Sequence, residues 1–169
     1  MVEALKALPA GDVVLLHGCC HNPTGADLSL DQWRELAALM AQRGLVPFVD
    51  IAYQGFGNGL EEDAAGLRIL AETVPELLAA ASCSKNFSVY RDRAGAALVL
   101  ARNGAEANTA YGQLLGAGRA LWSMPADHAA ACVRIVLEDP ALRALADVWW
   151  RQGGAAHEGV VEMDDPGTS

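Results

Sequence analysis

Apolar positions along this chain recur in short continuous runs and in helical spacing, and the switches between the two mark out its elements. Residues 13–18 (VVLLHG) form an apolar run closed by Gly18, the pattern of a buried strand. CCHNPTG follows, and its Asn-Pro and Thr-Gly steps predict a loop. Ser29-Leu-Asp-Gln32 has the spacing of a capping box, in which a hydroxyl and an amide satisfy each other's backbone donors. It predicts a helix to about Arg43, with Trp33, Leu36, Ala37 and Met40 on one face and Gly44 as its stop. Leu45–Asp50 reads as a second strand, against which Pro47 stands as a mild objection because it lacks a ladder donor. Glu61–Val74 reads as a helix, Leu77–Ser82 as a third strand, Ser82–Gly95 as a polar loop and Ala96–Ala101 as a fourth strand. Ala105–Leu121, Asp127–Leu137 and Ala141–Trp150 read as helices, the first weakened by three glycines.

Strands alternating with helices predict an α/β fold with a mostly parallel sheet flanked by helices. In such sheets ligands bind beyond the carboxyl ends of the strands. Three polar clusters fall at those ends: His17–Asn22, Asp50–Tyr53 and Ser82–Lys85. Periodicity is lost after Trp150, so residues 1–150 are expected to form the folded unit and 151–169 a disordered, glycine-rich acidic tail.

Composition narrows the function. The 169 residues are 52% hydrophobic and 20% charged, enough for one soluble domain with a core. No apolar run is long enough to cross a membrane, and Met1–Ala10 lacks the pattern of a signal peptide, so a cytoplasmic location is expected. A net charge of −9 argues against nucleic acid and anionic membrane as partners, and requires any anion site to be built locally. The four cysteines (Cys19, Cys20, Cys83 and Cys132) show no CxxC spacing, so buried free thiols are expected rather than a metal site or disulfides. Only Lys6 and Lys85 could form an imine.

Lys85 lies in SCSKNF, just past a strand end. A lysine in such a crevice can be held as a free amine for attack on an aldehyde, although most lysines are simply solvated. Ser82 and Ser84 flank it, and Arg91 and Arg93 follow, a set of hydroxyls and guanidiniums suited to a phosphate. Asp50 ends an apolar strand, where a carboxylate needs a partner: a helix end, a cation or a protonated ring nitrogen. Tyr53 could donate to an anionic phenolic oxygen or simply pack, and Asn22 could donate likewise or shape a turn before Pro23. His17 and His21 suit supporting hydrogen bonds, and Arg119 suits a helix end.

HGCCHNPTG (17–25), FVDIAYQGFGNGLEEDAAGLR (48–68) and SCSKNFSVYRDRAG (82–95) together resemble the class I aminotransferases, in their aspartate/aromatic subgroup. The resemblance runs from about Val13 to Leu145 and implies part of the large domain of a fold-type-I enzyme dependent on pyridoxal 5′-phosphate. It implies that Lys85 is the Schiff-base lysine and proton shuttle and that Asp50 partners the pyridinium nitrogen. Tyr53 and Asn22 would bind the phenolic oxygen, with Asn22 also near the substrate carboxylate, while Ser82, Ser84 and Arg93 would bind phosphate. His17 would support Asp50. Arg119, in GRALWSMP, would reach a neighbouring subunit's site in a homodimer and pair with a substrate's distal carboxylate. The reaction implied is transamination between an amino acid and a 2-oxo acid.

The sequence also departs from that family. The family's proteins are more than twice as long. They carry a phosphate-binding turn, a ring stacked on the cofactor, a tyrosine lent by the partner subunit and a small domain with an α-carboxylate arginine, none of which is recognisable here. SMPA stands at 123–126 where the family has SNPP. A fragment of the large domain is therefore expected. The alternative to an active aminotransferase is a truncated, inactive remnant or pseudoenzyme that keeps part of the cofactor site.

Overall fold

In a computed structural model, residues 1–161 are described, with side chains through residue 153. The elements are α1 (Val2–Lys6), β1 (Val13–His17), α2 (Leu30–Arg43), β2 (Val46–Ile51), α3 (Ala65–Thr73), β3 (Leu77–Ser82), β4 (Gly95–Leu100), α4 (Gly104–Trp122), α5 (His128–Glu138) and α6 (Pro140–Val161). The strands form one sheet in the order β1-β2-β3-β4. β1, β2 and β3 are mutually parallel, each joined to the next through a helix, and β4 returns antiparallel to β3.

The capping box at Ser29 forms in both directions: Ser29 Oγ accepts from Gln32 N (3.2 Å) and Gln32 Oε1 accepts from Ser29 N (2.9 Å). Gly44 ends α2 in the left-handed conformation (φ 66°). Trp33, Leu36, Ala37 and Met40 are all buried. They pack with Leu16, Val49, Ile51, Ala79, Leu70 and Val74 in a single core between the sheet and the α2–α3 layer. Gly66 lets α3 approach closely, because a Cβ there would strike the Trp33 ring.

Pro47 sits inside the sheet, yet the ladder loses little. Val46 N donates to Asp12 O and Asp50 O accepts from Gly18 N, so the even-numbered residues of β2 turn their backbone groups toward β1. Pro47 therefore faces β3, where pairing starts only at Phe48↔Leu78.

Two boundaries differ from the sequence pattern for identifiable reasons. The helix expected from Glu61 starts at Ala65, because Asp63 is engaged in holding the preceding loop. The glycines after Trp150 predict an irregular tail over 151–169; instead α6 continues to Val161, and 162–169 lie outside the described residues. Asp139 Oδ1 caps the start of α6 by accepting from Ala141 N and Leu142 N, and Trp150, 1% exposed, fastens it to the body.

The opposite face of the sheet is open. Register places Leu15, Phe48, Leu78 and Val99 side by side across all four strands on that face, and Leu15 is 60% exposed. One step further along the strands, the same face carries His17, Asp50 and Ala80, and beyond Ala80 lies Ser82. α4 has no buried residue.

Candidate functional site

The carboxyl ends of β1, β2 and β3 release three loops at one rim of the sheet. The β1 loop begins with Gly18, where a Cβ would lie 2.8 Å from Ile51, so only glycine lets it turn against β2. Asn22 lies on this loop, and its backbone N–H donates to His17 Nδ1 at 3.4 Å. His17 stacks on His21 with ring centroids 4.6 Å apart and is the register partner of Asp50. Asp50 is half-buried, and among the described residues no hydrogen-bond donor or cation meets its carboxylate.

The β2 loop carries Tyr53, whose hydroxyl accepts from Asn22 Nδ2 at 3.5 Å. Lys85 comes from the β3 loop, and its Nζ lies 3.9 Å from the centroid of the Tyr53 ring. An ammonium over an aromatic face is held by the ring quadrupole. Asn22, Tyr53 and Lys85, which are far apart in sequence, therefore meet in space.

A second group lies along the β3 loop itself. Ser82 Oγ accepts from Ser84 N (3.2 Å), and Ser84 Oγ accepts from Arg93 Nη1 (3.3 Å). Arg93 adopts a left-handed backbone (φ 56°) and also donates to Tyr90 O at 3.0 Å. Two hydroxyls and a guanidinium thus converge, a donor set suited to an anion. Burial pushes the Cys83 thiol above its ordinary range, so it stays protonated beside this group.

Arg119 stands apart. It is exposed in the last turn of α4, and no hydrogen bond or ion pair of the described residues joins it to the cluster. Arg91 is likewise exposed.

Three residues that the sequence pattern does not single out hold the loops in place. Asn86, 4% exposed, donates from Nδ2 to Gln54 O (3.0 Å), tying the Lys85 loop to the Tyr53 loop. Its backbone carbonyl accepts from Trp150 Nε1 at 2.5 Å. Asp63 Oδ2 accepts from Gly55 N (2.8 Å) and Gly57 N (3.0 Å), and Oδ1 accepts from Asn58 N (2.8 Å). The turn in GFGNG was a readable signal for such an acceptor, whereas nothing local to Asn86 or Trp150 announces their pairing.

A sequence profile of the family described as "Aminotransferase class I and II" matches residues 1–152. The tyrosine aminotransferase of Rhizobium meliloti is 55% identical over 143 residues, which is 85% of this chain and 37% of that protein. The aspartate aminotransferase of Haemophilus influenzae is 52% identical over 143 residues, 85% of this chain and 36% of that protein. An aromatic-amino-acid aminotransferase from Burkholderia pseudomallei, solved covalently bound to pyridoxal phosphate, superposes with a TM-score of 0.88 at 40% identity. The match covers 92% of this chain and 39% of that structure. The chain spans somewhat over a third of the length of these proteins.

Proposed function

Because this chain belongs to the class I and II aminotransferases, we propose that it forms the cofactor-holding part of an enzyme that moves an amino group from an aspartate-type or aromatic amino acid to a 2-oxo acid, using pyridoxal 5′-phosphate. Residues 1–150 are the unit assigned to that role, working in the cytoplasm, and a homodimer is the assembly in which Arg119 would serve. The observation that carries the reading is the Lys85 amine over the Tyr53 ring, with Tyr53 hydroxyl and Asn22 amide within reach of one another.

The donor set fits the cofactor. Asp50, half-buried and unpaired among the described residues, suits a protonated pyridine nitrogen. Ser82, Ser84 and Arg93 suit its phosphate. Tyr53 and Asn22 suit its phenolic oxygen. When bound, the cofactor supplies an electron-accepting ring beside the substrate's α-carbon. Lys85 Nζ would hold the cofactor through its amine, and as a free amine it would serve as the base that takes and returns the substrate's α-proton. Asn22 orients the substrate carboxylate. Arg119 reads a distal carboxylate from across the subunit boundary.

The open sheet face favours a second reading, in which this chain keeps part of the site without turnover. One series of measurements separates the two. Purified protein is given pyridoxal 5′-phosphate, reduced with borohydride and mapped by mass spectrometry, then assayed with aspartate or phenylalanine and 2-oxoglutarate. Label on the Lys85 peptide, absent from Lys85→Ala, supports the site, and keto-acid formation supports turnover. Label confined to Lys6 or the N-terminus would refute the assignment of Lys85. Label at Lys85 without turnover selects the inactive remnant.

A further inference from the structure

The adjacent thiols at the start of the β1 loop meet a carboxylate from a distant part of the chain. Cys19 Sγ, Cys20 Sγ and a carboxylate oxygen of Asp63 all lie within 4.8 Å of one another. We propose that Cys19, Cys20 and Asp63 form a binding site for one thiophilic d10 cation of the zinc or cadmium type, separate from the Lys85–Tyr53 cluster.

Four observations support it. First, the side chains of neighbouring residues point to opposite sides of an extended backbone. Cys20 breaks that alternation with a left-handed conformation (φ 49°), which is uncommon outside glycine, and brings both sulfurs to one side. Second, the distances are close to those a tetrahedral ion needs. Bonds of about 2.3 Å to sulfur and about 2.1 Å to oxygen put ligand atoms about 3.6–3.8 Å apart, so closure takes roughly 1 Å of side-chain movement.

Third, the carboxylate is already oriented. Asp63 is 6% exposed, and its three backbone N–H donors fix its direction much as outer partners fix a metal ligand. An ionised carboxylate accepts in about four directions, so one remains open. Fourth, the charge is suitable. No cation pairs with Asp63 among the described residues, and Asp27, which accepts from Cys20 N at 2.6 Å, adds a second negative charge nearby. A divalent cation bound there would displace both thiol protons to solvent and gain from the same two carboxylates. Cys20 is half-buried, so the cluster is not sealed in the core. The absence of CxxC spacing hides such a site in the sequence, because the third ligand comes from after β2.

The test uses the full chain, reduced and freed of metal, titrated with Cd2+ while sulfur-to-metal charge-transfer absorption is followed in the ultraviolet. One equivalent is expected to saturate the band and to shield Cys20 from iodoacetamide in peptide mapping. Cys20→Ser, a near-isosteric change at a half-buried position, is expected to weaken binding by at least about a hundredfold, beyond what loss of an outer partner costs. Cys19→Ser is expected to do the same, and Cys83→Ser to leave binding unchanged. The proposal is overturned if the wild type shows no charge-transfer band, or if the band survives in Cys20→Ser. It is also overturned if the band disappears in Cys132→Ser, since Cys132 Sγ lies 3.8 Å from His128 Nε2 and offers the competing soft pair.

Discussion

Replacing Trp150 by alanine tests whether α6 is what fixes the lysine loop. The indole is 1% exposed, packs edge-on to Phe87 (centroids 5.4 Å apart, 77°), and stands directly over Gly55. Burying roughly 200 Å² of ring at about 25 cal/mol per Å² contributes on the order of 5 kcal/mol as an upper bound. Truncation of a buried tryptophan in general costs about 3–5 kcal/mol. The indole N–H adds a second contribution, because its loss leaves the Asn86 carbonyl without that donor, at about 1–3 kcal/mol. The two overlap, so about 3–5 kcal/mol is expected for Trp150→Ala, a large part of a total stability of roughly 5–15 kcal/mol. Urea unfolding and a thermal scan measure it, with a fall in Tm on the order of 10 °C. Trp150→Phe keeps a ring and loses the donor, so it is expected to cost about 1–3 kcal/mol. In both variants the amides of the Lys85 loop should exchange with solvent faster than in the wild type. A cost for Trp150→Ala within about 1 kcal/mol of zero, or unchanged exchange in that loop, would refute the reasoning.

Two further expectations follow from the core and the thiols. Gly66→Ala drives a methyl into the Trp33 ring and should destabilise by about 1–3 kcal/mol in urea unfolding; a neutral result would mean that α3 can move off α2 at little cost. Burial raises the Cys83 thiol, so its folded form holds its proton to higher pH than the unfolded chain does. Its alkylation by iodoacetamide should lag behind that of free cysteine near pH 8, and its share of folding stability should be complete below the unfolded thiol range and fade above it. Alkylation as fast as free cysteine at that pH would contradict this.

The elements most legible in the sequence were those whose cause is local. The Ser29–Gln32 cap, the buried face of α2 and the Gly44 stop each depend on contacts within a few residues, and each forms as the pattern predicts. Three apolar runs bounded by turn residues became β1, β2 and β3 within a residue or so. The antiparallel direction of β4 was not legible, since a strand of three small residues followed by three larger apolar ones (GAALVL) carries no sign of its partner. Nor was the anchoring of α6, which rests on a tryptophan reaching a carbonyl 64 residues away. The same division runs through the site. Polar residues at strand ends announced Asn22, Tyr53 and Lys85 as neighbours, because parallel strands deliver their tips to one rim. Arg119 shows the limit: the role its place in GRALWSMP implies lies at a neighbouring subunit, and among the described residues no side-chain hydrogen bond or ion pair joins it to the rim. Asn86 and Gln54 were hidden because their pairing exists only once the two loops are brought together.

The apolar band of Leu15, which is exposed, and Phe48, Leu78 and Val99, which are half-buried, has a consequence for handling the protein. It runs directly beneath His17 and Asp50, so whatever covers the greasy rows also roofs the polar rim. Left bare in dilute buffer, such a surface drives self-association and recruits chaperones. Solubility and occupancy of the rim are thus two readings of a single event, and a detergent or partner that suppresses clumping should alter how small molecules reach Lys85.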